Sequence, residues 1–203
     1  MMMKKRFKFT AVCLTIMIFM MALAGCSKNS PLIDLSKFQS DGQFSYPGVV
    51  WGSSAEETVE QVDALLEGTG LSAHREGTIG YVTEGVPFEG EEWRIEWQFD
   101  DDELWCISLF ASTTTQKSGK LYKKLLAEFE KMYGEASHVK EKITDPSEES
   151  AINEQGGRWY SDDNETRLVL SRLYDNDDTH GNRATVGIIL SKKRKNAVTT
   201  DGW

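Results

Sequence analysis

Trp93, Ile95, Trp97 and Phe99 alternate with Arg94, Glu96 and Gln98, and no other stretch of the chain restricts its fold as tightly. Successive side chains of a strand point to opposite faces, so this period of two predicts a strand with one apolar and one polar face. Its large aromatic residues need a second layer to bury them. A second strand is expected from Leu104 to Phe110, after a turn at Asp100-Asp101-Asp102-Glu103. A loop with an even number of residues would pair Phe99 with Leu104 and Trp97 with Cys106. Trp105, Ile107 and Leu109 would then share the polar face with Arg94 and Glu96. An odd loop, such as three residues with a bulge, brings them to the Trp93 face instead. A one-residue slip flips every side chain, so the odd loop is expected, with one aspartate in the left-handed region.

A helix is expected on either side of these strands. Ser53 or Ser54 suits an N-cap, with Glu56 or Glu57 as the capping-box partner. Val59, Val62, Leu65 and Leu66 then recur at helical spacing, and Gly68 and Gly70 end the run. A second helix is predicted over Ser118 to Tyr133, with Leu121, Tyr122, Leu125, Leu126, Phe129 and Met132 as its apolar stripe and Gly134 as its cap. Further strands are predicted at Ile79–Thr83, His138–Ile143, Arg158–Tyr160, Arg167–Leu173 and Thr185–Ser191. Trp97-Gln98-Phe99-Asp100-Asp101-Asp102-Glu103 matches Trp159-Tyr160-Ser161-Asp162-Asp163-Asn164-Glu165 at an offset of 62, which suggests a duplicated helix–hairpin unit over 44–115 and 116–192. Helices followed by runs of antiparallel strands imply an α+β fold, an antiparallel sheet with helices packed on one face.

With Gly52-Ser53-Ser54-Ala55-Glu56-Glu57 and the strands after them, this layout resembles the helix-then-sheet modules of the outer-membrane assembly lipoprotein BamE and of the β-lactamase inhibitor protein. The BamE pattern has a valine one residue earlier than Val59 and a proline after the helix-ending glycine, and Gly68 has none. The resemblance covers about a third of the domain and implies a layout more than a role.

The N-terminus says where such a domain would work. Lys4, Lys5, Arg6 and Lys8 precede an apolar stretch from Thr10 to Ala24, and polar sequence begins at Ser27. This is the length of a signal peptide, and a bilayer-spanning helix needs roughly 20 apolar residues. Leu23-Ala24-Gly25-Cys26 resembles a bacterial lipobox. The resemblance implies cleavage before Cys26, diacylation of its sulfur, and an extracytoplasmic protein held on the cell membrane by lipid. The expected organisation is a leader over 1–25, a tether over 26–43 into which Leu32, Ile33, Leu35 and Phe38 intrude, a domain over 44–192 and a polar tail over 193–203.

Removing the leader's four basic residues leaves 19 against 32 acidic ones. An acidic surface argues against nucleic acid, whose phosphates require Lys and Arg, and against an electrostatic hold on anionic lipid. Cys13 falls in the leader and Cys26 is the acylation site, so Cys106 is unpaired and no disulfide framework is expected. It reads as a buried small hydrophobe or a lone reactive thiol.

No motif announces chemistry. His74, His138 and His180 lack a second ligand at metal spacing. Asp175 to Gly181 has a calcium-loop flavour, but His180 and Val186 stand where an EF-hand loop needs glycine and glutamate. There is no Gly-x-Ser-x-Gly elbow, and Gly156-Gly157 precedes a strand, not a helix. The expectation is therefore a non-catalytic binding or assembly module of the envelope, without metal or cofactor. It would bind the membrane through Cys26 and an envelope protein of unknown identity. The alternative is a small-ligand carrier with a pocket between sheet and helices; a hydrolase built from scattered residues comes third. Trp51 and Trp203, outside any clear period, are the candidate binding residues, since tryptophan is enriched at binding hot spots.

Overall fold

A computed structural model of the chain describes residues 31–78, 80–140, 154–174 and 183–194. Their elements, in order, are a two-stranded ribbon of β1 (Gln39–Ser40) and β2 (Gln43–Phe44), then α1 (Ala55–Leu66), β3 (Ala73–Glu76), β4 (Gly80–Phe88), β5 (Glu91–Asp100) and β6 (Glu103–Thr114). There follow α2 (Thr115–Tyr133), β7 (His138–Lys140), β8 (Glu154–Tyr160), β9 (Thr166–Tyr174) and β10 (Arg183–Lys192). Strands β3 to β10 form one antiparallel sheet in the order β3-β4-β5-β6-β10-β9-β8-β7. The fold is α+β.

Each half of the chain is a helix followed by four strands, and the last strands of the two halves pair at the centre. The strand order therefore reads alike from either edge. The 62-residue offset does not follow this arrangement. It matches the hairpin of β5 and β6, third and fourth strands of their half, to β8 and β9, second and third of theirs. What the two segments share is an acidic hairpin connection, of two residues after β5 and five after β8.

Helix α1 starts as its sequence asks. Ser54 caps it and Glu57 closes the capping box. Helix α2 starts at Thr115 with Thr114 as its cap, three residues before the expected Ser118, and ends at Gly134, whose φ is 83°. Both helices lie on one face of the sheet. Val62, Leu66, Leu121, Leu125 and Phe129 pack with Trp93, Ile95 and Trp97 of β5, Ile107 and Leu109 of β6, and Leu168 and Ile188 of β9 and β10. Met132, expected in the apolar stripe, is exposed on the last turn of α2.

The expected tether belongs to this core from Leu32 onward. Ile33, Leu35, Phe38 and Phe44 are buried, around a 3-10 turn at Leu35–Lys37. Tyr133 donates to the Leu35 carbonyl and Phe44 N–H donates to Thr166 Oγ1. Ile33, Leu35 and Phe38, the three of these within the expected tether, outweigh its polar residues, because burial returns about 1.5–3 kcal/mol each.

The β5–β6 hairpin reaches the expected faces by an unexpected route. Asp100 pairs with Glu103, so the loop has only two residues, and Asp101 and Asp102 both have positive φ (48° and 62°). The register change comes later. Phe99 pairs with Leu104 and Gln98 with Cys106, leaving Trp105 as a bulge. Leu104, Ile107 and Leu109 thus face the core, whereas Trp105, expected among them, does not join the core cluster.

Candidate functional site

Among the described residues, no helix covers the second face of the sheet. Its centre is lined by small side chains: Ser108 of β6, Gly187 and Ser191 of β10, and Ser171 of β9. Polar contacts tie neighbouring strands together there. Ser112 and Thr185 hydroxyls lie 2.7 Å apart, and Arg167 Nε donates to Ser191 Oγ at 3.0 Å. These small residues are themselves buried, and so is Val169, which stands opposite half-buried Ile189.

Towards the ends of β4 and β5, this face opens into a hollow of about 870 Å³. Pro87 of β4, Glu92 and Arg94 of β5, and Phe110 and Ser112 of β6 line it, with Glu84 at the rim. A bulge shapes the site. The β4–β5 register shifts between Thr83 and Val86, and Gly85 there has a φ of 70°. Such a bulge bends and twists its strand, so β4 is redirected where the hollow begins. Phe110 is half-buried, and Ser112, Glu84 and Glu92 are exposed.

Charge at the site is lopsided. Arg94 meets Glu76, Glu84 and Glu96 at 2.9, 3.1 and 2.8 Å, joining β3, β4 and β5 on this face. The hydrogen bond to Glu76 leads in holding the guanidinium above its ordinary basicity, so it stays a cation throughout. Glu91 is bridged by Lys117 of α2 at 3.3 Å. Lys124 of α2 also pairs with Glu89, in the β4–β5 turn.

Of the expected binding residues, Trp51 does not line this hollow. Trp51 is partly buried against the core and donates its indole N–H to the Phe44 carbonyl at 2.8 Å, which makes it a support for the N-terminal segment. Trp203 and Cys26 lie outside the described residues, as do His180 and the Asp175 loop. Trp93, Trp97 and Trp159 are core residues. Cys106 is buried on the helix-free face, and burial pushes its thiol up to about 11, against the reactive reading. His74 is exposed on β3, and no group of three metal-ligating side chains occurs among the described residues.

Trp105 is the aromatic residue that sequence reasoning misplaced. The Arg194 guanidinium lies 4.6 Å from its ring centroid and 3.6 Å from Asp100. A second hollow of about 360 Å³ opens there, lined also by Lys192 and Lys193, and the Arg194 guanidinium already lies over its aromatic ring. Among the described residues, no cation lies over the Phe110 ring in the larger hollow. The signal that could have found it was Phe110 itself, an aromatic residue in the polar phase of β6 once the bulge is counted. No protein-family model, curated protein or solved structure matches this chain.

Proposed function

We propose that the protein is a lipid-anchored binding module of the bacterial cell envelope, that it works without catalysis, and that the helix-free face of its sheet is the working surface. The observation that carries this reading is the hollow beside Phe110. Among the described residues, both helices and the N-terminal segment pack on the other face, and half-buried Phe110 in the hollow is the apolar surface a partner would cover. The small-ligand alternative needs room between sheet and helices, and there Trp93, Trp97, Phe38, Phe44 and Phe129 are essentially fully buried against one another.

The anchor limits where the partner works. With acyl chains on Cys26, seven peptide units separate the lipid from buried Ile33, a reach of at most about 25 Å. The partner is then a protein at the membrane surface. The test is crosslinking and pull-down from intact cells of the wild type, a Cys26→Ala variant and a Phe110→Asp variant. One envelope protein enriched with the wild type and lost with both variants is the expected outcome. Equal recovery with Phe110→Asp would move the working surface elsewhere, and no enriched protein in any sample would end the reading.

A further inference from the structure

The acidic excess of this protein is confined to one half of the sheet. Residues 44–114 hold fifteen acidic side chains, two arginines (Arg75 and Arg94) and no lysine, whereas residues 115–203 hold fifteen of each sign. The hollow lies within the acidic half, on β4, β5 and β6. One of those two arginines, Arg94, is consumed by Glu76, Glu84 and Glu96. Of the three acidic residues that line the hollow, Glu84 is paired with Arg94 and Glu91 with Lys117 of α2, while Glu92 is exposed. An aromatic floor inside an acidic rim selects a chain that presents cations beside apolar side chains.

We infer that the occupant of the hollow is a cationic segment of a protein, with lysine or arginine flanking an apolar residue that seats on Phe110. This rests on the helix-free face being the working surface and names the chemistry of its partner. The division of labour follows from magnitudes. An exposed ion pair contributes about 0.2–1 kcal/mol, so the rim charges supply selection and faster encounter, and the buried apolar contact supplies most of the hold. Arg94 has a supporting part: it fixes Glu84 and Glu96 in place without neutralising the half.

Two measurements on the full-length chain, purified in detergent, test this. The first is fluorescence anisotropy with three labelled heptapeptides: Lys-Phe-Lys-Phe-Lys-Phe-Lys and its counterparts with serine or glutamate in place of lysine. The lysine peptide is expected to bind about tenfold tighter than the serine peptide at 50 mM salt, with the preference shrinking at 500 mM. Glu84→Gln with Glu92→Gln should remove most of the preference. Glu60→Gln with Asp63→Gln, the same charge change on α1, should leave it. Equal losses from both pairs, or no preference for lysine, would overturn the inference. The second measurement places a photo-crosslinking amino acid at Ser112 in cells. A crosslink at Ser112 without a lysine preference leaves the helix-free face as the working surface and removes only its cationic partner. No crosslink at Ser112 removes the working surface itself.

Discussion

Asp101 and Asp102 carry the two-residue turn of the β5–β6 hairpin, and Asp102 does a second job. Both adopt the left-handed region that aspartate tolerates better than most residues. Asp102 also accepts a hydrogen bond from Ala55 N–H at 3.1 Å, at the start of α1, so the turn helps to hold the helix. Cys106, five residues beyond Asp101, shows how a single buried group imposes a pH limit. Its thiol has a hydroxyl neighbour, Ser108 Oγ, at 3.6 Å, and burial raises its folded pKa to about 11. The free-thiol value is about 8.5. A raised folded pKa means that the unfolded chain loses its proton first, so the contribution is complete below that value and is lost as pH climbs towards 11. The expected loss is up to roughly 2 kcal/mol. Urea midpoints at pH 8 and pH 10.5 should fall further for the wild type than for Cys106→Ala. Equal falls would mean that the thiol contributes nothing to the alkaline limit, leaving it to other groups such as Tyr133, whose hydroxyl burial also raises, to about 12.

At the scale of elements, what the sequence revealed depended on whether a period survived. The Trp93–Phe99 alternation marks β5 because Trp93, Ile95 and Trp97 are buried on one face and Phe99 is partly buried beside them. The α1 cap was legible because Ser54 and Glu57 act within one turn. Edge strand β3 was missed: two of its four residues, His74 and Arg75, are exposed, so it has no apolar phase to count. Trp105 was misplaced because a bulge resets the count in mid-strand, and local composition does not mark it. The hollow was hidden for a third reason. Pro87, Arg94 and Phe110 come from three strands, and only the pairing brings them together. The N-terminal segment is the sharpest case, since Ile33, Leu35 and Phe38 follow neither a helical nor a strand period. Its backbone is held by a short 3-10 turn and by side-chain partners such as Tyr133 and Thr166. A tether would tolerate Phe38→Ala without effect. Here the ring is fully buried and lies 5.8 Å from that of Tyr46, so the substitution should destabilise by about 3–5 kcal/mol. Denaturant titration measures it, and an unchanged midpoint would return the segment to the role of tether.

Across the whole molecule, a frame whose strand order reads alike from either edge carries charge that does not. The first half packs fifteen acidic residues around α1 and β3–β6, and the second half balances its signs. Most of the first group are exposed, and some sit badly. Glu56 and Glu57 are favoured by the positive N-terminus of α1, but Glu67 lies at its C-terminal cap and no basic residue stands in its last turn. Two effects of salt then oppose each other. Screening weakens the attractions of Arg94 and of the lysines on α2, and it weakens the repulsion among all the acids. Exposed pairs contribute about 0.2–1 kcal/mol each, and ion pairs engage only a minority of these carboxylates. The repulsion is the larger sum. Raising ionic strength from 10 mM to 150 mM shortens the screening length from about 30 Å to about 8 Å. The melting temperature should therefore rise by about 2–4 °C, and a variant with Glu56→Lys, Glu60→Lys and Asp63→Lys should lose most of that rise. A melting temperature that falls with salt would show that the Arg94 network, not the acidic excess, sets the stability of this half. The same excess would then be too well neutralised to attract a cationic partner.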